Sequence, residues 1–281
     1  MITRRPFISL YITVLFVFSL SVSAFAGDVS IDVLVSAIDR AEAAEGGELG
    51  DYTLVDQDGV SFSLHEYFGG ERPLLMSYIF TSCPHVCPTI TRSFKKAVDD
   101  ARVEFGDVFN VLVIGFDAEN DTPEKLKEYA LRHIKDFEGS SFRFASSDVE
   151  TIKELTRKTG FFFSRRDEGG FDHMDLATLI SPDGRVYRHI FGLRSEGELV
   201  GSALGSLLRG DPEPRRGLSI VEKIKYLCSR YDPYTGKYVV DYYVFGGAVM
   251  QFFILMAVVM AVWGGRIKAF FLRLLKGGEA G

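Results

Sequence analysis

Two cysteines four residues apart, Cys83 and Cys87, stand in the segment Phe80-Thr-Ser-Cys83-Pro-His-Val-Cys87-Pro88. They follow the apolar run Pro73 to Phe80 and precede Ile90, Phe94, Ala97, Val98 and Ala101, which recur at helical spacing. The pair therefore marks the end of a strand and the start of a helix, where open α/β sheets carry their sites. Pro88 has no N–H to donate and suits the first helical turn, so the spacing predicts Cys87 near the N-cap and Cys83 in the preceding loop. The positive end of a helix dipole there predicts lowered thiol pKa values and thiolate character. Sulfurs this close either form a disulfide or chelate one soft metal ion. Thiolates favour Cu(I), zinc or iron–sulfur centres. No second pair of cysteines completes a structural zinc site, and Cys228 as the one remaining cysteine excludes four-cysteine iron–sulfur ligation. A plain disulfide would suit an exported chain, but its loop is too small to constrain the unfolded state much.

A two-sulfur metal site needs another ligand, most simply an imidazole. The chain has five histidines. His65 and His133 fall in helical stretches and read as surface residues. His189 sits in a strand with no partner close in sequence. His85 lies between the cysteines, and His173 stands in the Gly-rich stretch Gly169-Gly-Phe-Asp-His173-Met-Asp175 just before a strand, where a loop can present a ligand. Asp117 ends a central strand near the cysteines and is placed to hydrogen-bond a ligand or meet a partner. Asp121-Thr-Pro-Glu124 also makes a good helix start, with Asp121 as the N-cap acid.

Elements that alternate along the chain must position these groups. A hairpin is expected over Tyr52 to Val55 and Val60 to Phe62, and a strand over Phe109 to Phe116. Helices are expected over Pro123 to Phe137 and Val149 to Thr159, with a short strand, Phe142 to Ala145, between them. A hairpin turns at Ser181-Pro-Asp-Gly184, and a last helix covers 196–208. Strand–helix alternation followed by a hairpin and helix predicts an α/β sandwich with a mixed central sheet over residues 51–209. Residues 27–50 read as a spacer with a short helix, and 210–241 as a membrane-proximal linker.

The two ends carry different signals. Arg4 and Arg5, the apolar stretch Phe7 to Leu20 and Ala24-Phe25-Ala26 make residues 1–26 a signal peptide. Residues 242–265 contain no charge and are long enough to cross a hydrocarbon core of about 30 Å. Tyr242, Tyr243 and Trp263 lie at its ends, and the tail 266–281 carries Arg266, Lys268, Arg273 and Lys276 against Glu279, which predicts a cytoplasmic tail. Signal and span together predict a periplasmic domain held by a single C-terminal transmembrane helix in a bacterial cytoplasmic membrane. Overall composition is ordinary, 47% hydrophobic and 25% charged, which excludes wholesale disorder. The net charge of −6 excludes a generic cationic nucleic-acid binder. Between the signal and the tail, 26 basic residues face 37 acidic ones, a net −11, suited to a basic partner or a cation.

These motifs together carry a family resemblance. The cysteine segment resembles the signature of the Sco/SenC proteins, thioredoxin-like copper-handling factors of cytochrome c oxidase assembly. Gly115-Phe-Asp117-Ala-Glu-Asn-Asp121-Thr-Pro-Glu124 is similar to the family's D-x-x-x-D-T-P-E segment, and Phe171-Asp-His173 precedes a strand and a Pro-Asp-Gly hairpin as in that family. The resemblance covers about residues 50–208 and implies a thioredoxin-like fold. It implies one copper ion, Cu(I) or Cu(II), on Cys83, Cys87 and His173. It further implies delivery of that copper to the CuA-type site of a terminal oxidase subunit, with another periplasmic copper carrier as a further partner. A thiol–disulfide reductase that keeps the oxidase cysteines reduced through Cys83 and Cys87, or a copper and redox sensor, are the alternative readings. The chain departs from many members in its C-terminal anchor. It also lacks the CxxC of ordinary thioredoxins and any proline close to His173. Cys228 has no role in this reading.

Overall fold

The computed structural model describes residues 31–84, 86–166, 170–192, 197–211, 229–232, 237–240, 249–254 and 256–257. One compact unit comprises Ala26–Val239. Its centre is a seven-stranded sheet in the order β2-β1-β5-β4-β3-β8-β9. The strands are β1 (Thr53–Asp56), β2 (Ser61–Ser63), β3 (Leu74–Ile79), β4 (Asn110–Gly115), β5 (Phe142–Ser146), β8 (Leu176–Ile180) and β9 (Val186–Phe191). Pairing is parallel between β3, β4 and β5 and antiparallel elsewhere, so the sheet is mixed as expected.

Every residue of β3 is buried, on both faces of the strand. That is why Leu74 to Ile79 reads as a near-continuous apolar run, broken by Ser77, rather than an alternating one. The helix α2 (Val86–Phe105) turns Ile90, Phe94, Ala97, Val98 and Ala101 into the core. On α3 (Pro123–His133) the buried stripe is Leu126, Tyr129 and Ala130, and on α4 (Val149–Lys158) it is Ile152, Leu155 and Thr156. Asp148 caps α4 by accepting the Thr151 N–H at 3.0 Å. The helix α5 (Gly197–Leu208) lies close on α2, since a Cβ at Gly205 would sit 3.2 Å from the Phe105 ring.

Two regions depart from the expected layout. The stretch 27–50 is no spacer: α1 (Ile31–Ala44) buries Ala37, Ile38 and Ala41 in the common core. Its exit is stitched to β9, with Gly46 N–H on the Val186 carbonyl at 2.8 Å and Leu49 N–H on the Gly184 carbonyl at 2.9 Å. Gly160 explains the fit, because with φ +69 its missing Cβ would lie 2.6 Å from Ala41 Cα. The second departure is a ribbon of β6 (Phe163–Arg165) and β7 (Phe171–His173), where sequence patterning gave only a Gly-rich loop. Three residues per strand are too few for a periodic signal.

In the expected linker, β10 (Ser229–Asp232) and β11 (Lys237–Val240) form a two-stranded sheet. The expected signal peptide, Cys228, His85 and most of the expected span 242–265 lie outside the described residues. Among the described residues no helix is long and apolar enough to cross a membrane. Residues 249–254 and 256–257 are helical and expose Val249, Met250, Phe252, Phe253, Ile254 and Met256.

Candidate metal centre

The cysteine segment leaves β3 at Phe80 and enters α2 within six residues. The Cys83 N–H reaches back to the Phe80 carbonyl at 3.2 Å, which closes the turn. Cys83 Sγ then accepts the Cys87 N–H at 3.3 Å, so a sulfur satisfies one of the orphan donors of the first helical turn. Pro88 falls in that turn, where its missing N–H costs nothing. Cys83 and Cys87 are both buried, and neither is in a disulfide.

Thiolate character at Cys87 is not what the fold provides. Burial first, and the Cys83 sulfur second, push the Cys87 thiol well above the ordinary cysteine range. A helix terminus favours an anion by about 0.3–1 kcal/mol, whereas burying a charge without a partner costs several. Cys87 lies inside the helix and is 0% exposed, so desolvation wins and the sequence expectation is reversed. A cation seated against the sulfur would restore the thiolate, and metal uptake would release the proton.

The ribbon brings the third donor from across the sheet. His173 pairs with Phe163 in the β6–β7 register, and its Nε2 lies 3.6 Å from Cys87 Sγ. Its Nδ1 is 3.0 Å from the Met174 carbonyl, an atom that only accepts, so Nδ1 carries the proton. In the neutral imidazole this leaves the Nε2 lone pair toward the sulfur, the tautomer a metal ligand needs. Phe80, Phe116 and Phe161 surround the imidazole at ring-centroid distances of 5.7, 5.3 and 6.2 Å. No group of three or more His, Cys, Asp or Glu side chains stands at metal-holding spacing among the described residues. The donor chemistry nonetheless fits a soft ion: two sulfurs in one turn and an imidazole ringed by Phe80, Phe116 and Phe161.

Asp121 does not cap α3. Thr122 does, through its side chain and the Lys125 N–H. The Asp121 carboxylate turns inward instead, accepting the Thr81 N–H at 2.8 Å, the Thr81 hydroxyl at 2.7 Å and the Asp117 N–H at 2.9 Å. It thus ties the segment carrying Cys83 to the end of β4. Gly115 makes room, since a Cβ there would meet Asp121 Cβ at 2.9 Å. Burial raises the Asp121 pKa to about 6, outweighing the bonds from Thr81 that lower it. Asp117 is also buried and accepts both oxygens' worth of bonding from Asn120 Nδ2, at 3.1 and 3.0 Å. Neither aspartate is among the sulfur and imidazole donors; both shape the segments that hold them.

The other histidines are placed elsewhere. His65 is exposed in a single turn of 3-10 helix, and His133 lies tilted against Tyr129, with ring centroids 4.5 Å apart. His189 is buried against Thr178 Oγ1 at 3.2 Å and lowered by desolvation to about 4. Sequence reasoning passed over Thr81, Arg165 and the aromatic wall. The run Phe161-Phe-Phe163 and Phe171 was the available signal for that wall, but such aromatics read equally well as ordinary core.

Fold and site together define a thioredoxin-like α/β protein with a dithiol at a strand–helix turn and an opposing imidazole. The chain belongs to the SCO1/SenC family, whose sequence model matches residues 40–205. An SCO2-like protein of Rickettsia prowazekii is 31% identical over 148 residues, spanning 50% of this chain and 68% of that one. A protein of Stutzerimonas stutzeri named for copper binding is 28% identical over 141 residues, or 49% and 66% of the two chains. The solved structure of BsSco, described as a Sco-family cytochrome c oxidase assembly protein with a disulfide switch, is 25% identical. It superposes with a TM-score of 0.51, covering 58% of this chain and 95% of that one.

Proposed function

We propose that this protein is a membrane-tethered copper metallochaperone. It takes one copper ion on Cys83, Cys87 and His173 and passes it to the copper-bearing subunit of a terminal cytochrome c oxidase during assembly. The observation that carries the reading is the 3.6 Å approach of His173 Nε2 to Cys87 Sγ, with Nδ1 committed to the Met174 carbonyl. The naming of the Stutzerimonas relative for copper and of BsSco for oxidase assembly supports it. Copper is the cargo, so the site must both hold and release it. Two sulfurs retain Cu(I), and the harder imidazole extends the site to Cu(II).

A reductase reading has its own support. Cys83 and Cys87 lie in one turn as thiols not joined in a disulfide, and the Sco relative is described with a disulfide switch. In that role the two thiols would give two electrons and two protons to a disulfide of the oxidase subunit, and would themselves close into a disulfide. His173→Ala separates the two, because it removes a copper donor and leaves both thiols. Failure of oxidase assembly in that variant at limiting copper is the chaperone outcome. Full assembly in it, together with failure in Cys83→Ser, is the reductase outcome.

The anchoring reading places residues 51–209 in the periplasm, with 242–265 spanning the membrane and 266–281 inside. The apolar side chains exposed at Val249, Met250, Phe252, Phe253 and Ile254 support it. A reporter active only in the periplasm should work when fused after Gly210 and be silent after Gly281. Activity at both positions overturns the single C-terminal span.

A further inference from the structure

We propose that Arg165 is a positioning residue that clamps the β6–β7 ribbon over the cysteine turn and sets where His173 meets copper; this rests on the copper-binding reading above. One face of the ribbon carries Phe163, Arg165, Phe171 and His173, because cross-strand partners in the register are Phe163 with His173 and Arg165 with Phe171. That face looks onto the ends of β3 and β4. Phe171 lies 5.2 Å from Phe80 and 5.5 Å from Phe116, and Phe163 lies 4.8 Å from Phe116.

Aromatic contacts of this kind hold a ribbon down but tolerate sliding, since they carry no fixed register. Arg165 supplies a directional bond. Its guanidinium meets Glu119 Oε2 at 2.9 Å and approaches Asp117 Oδ1 at 3.8 Å, while its head rests 5.0 Å from the Phe171 ring centre. Both acids lie on the turn after β4, whose other acid, Asp121, holds Thr81 beside the cysteines. One short turn therefore grips the cysteine segment on one side and the histidine ribbon on the other. Arg165 is the link on the ribbon side, two positions along from the partner of His173. The Arg165 and Glu119 side chains are 59% and 64% exposed, so the pair adds little to global stability and acts on local placement.

Removing the clamp also removes a positive charge beside a cation site, which acts in the opposite direction on affinity. A cycle with His173→Ala isolates the positioning part. Cu(II) affinity is measured by competition in wild type, R165A, H173A and the double variant, with the sulfur-to-Cu(II) absorption band and the electron paramagnetic resonance spectrum of each. Loss of a group that orients a metal ligand costs about 10–100-fold in affinity, and the exposed clamp falls at the low end. The expected coupling between Arg165 and His173 is about tenfold, with a shifted spectrum in R165A and near-restoration of the wild-type spectrum in R165K. Coupling below about twofold, or a wild-type spectrum in R165A, overturns the proposal. Amide hydrogen exchange of the metal-free protein decides the same point independently. Residues 163–165 and 171–173 should exchange faster in R165A while β3 is unchanged, and equal exchange overturns the clamp. If wild type takes up no copper, the copper reading falls, and the exchange result alone judges whether Arg165 fixes the ribbon.

Discussion

The two arms of the site are made of unequal material. The cysteine arm emerges from β3, an interior strand paired on both sides, and runs into the 20-residue helix α2. Its loop is tied by Cys83 to Phe80, by Cys87 to Cys83 and by Thr81 to Asp121. The histidine arm is a ribbon of two three-residue strands outside the main sheet, held by phenylalanine contacts and an exposed ion pair. An isolated two-stranded ribbon is marginally stable by itself, so its geometry depends on those contacts. The contrast assigns different duties to the donors. On the proposed copper reading, a rigid dithiol would keep the ion, and an adjustable imidazole would decide how tightly and in which valence it is held.

The largest effect should come from the rigid arm. Cys83→Ser or Cys87→Ser leaves a single sulfur, and binding of both copper valences should fall below detection in equilibrium competition. Retained Cu(I) binding by either variant would break the division of duties. His173→Ala should be smaller and selective. Cu(II) affinity drops, while Cu(I), which two sulfurs can hold linearly, changes much less. Equal losses for both valences would show that the imidazole is as essential as the thiols.

The smallest effects lie in the scaffold behind each arm and appear as opposite responses to acid. Asp121, behind the cysteine arm, has its folded pKa raised to about 6 from an ordinary 3.8. The folded state therefore holds the proton more tightly, and its stabilising contribution is complete below the unfolded pKa and lost as pH rises toward 6. His189 stands beside Thr178 of β8, the strand that continues from the ribbon, and its pKa falls from 6.5 to about 4. Its contribution is complete above 6.5 and lost as pH falls toward 4. Each slope is at most about 1.4 kcal/mol per pH unit, and the two oppose each other over the same window. In urea titrations of the metal-free protein between pH 4 and 6, Asp121→Asn should steepen the loss of stability in acid and His189→Gln should reduce it. A pH profile unchanged by both substitutions would remove the two buried groups from the account.

Much of the cysteine arm was legible in the sequence because its signals are local. The largely apolar run Leu74 to Ile79, the helical spacing of Ile90, Phe94 and Ala101, and Pro88 at a helix start each report on their immediate neighbours. Asp121 shows where local reading stops: it resembles an N-cap, but the adjacent Thr122 serves that end equally well and frees Asp121 to turn toward Thr81, 40 positions away. The first helix was misread for a related reason. Its apolar face was visible, but that Gly160 leaves a gap for Ala41 is a property of two distant segments.

The residue types and spacing by themselves determined the order of elements, the position of the two cysteines at a strand–helix junction, and the membership these motifs signal. Only the tertiary structure decided how the site is assembled. His173 and Cys87 lie 86 residues apart in the chain and 3.6 Å apart in space. Their meeting depends on a ribbon with no periodicity of its own, positioned by phenylalanines and by Arg165 on Glu119. Burial likewise overrode the helix terminus at Cys87, because the desolvation of a charge is set by what surrounds it in three dimensions and not by its neighbours along the chain.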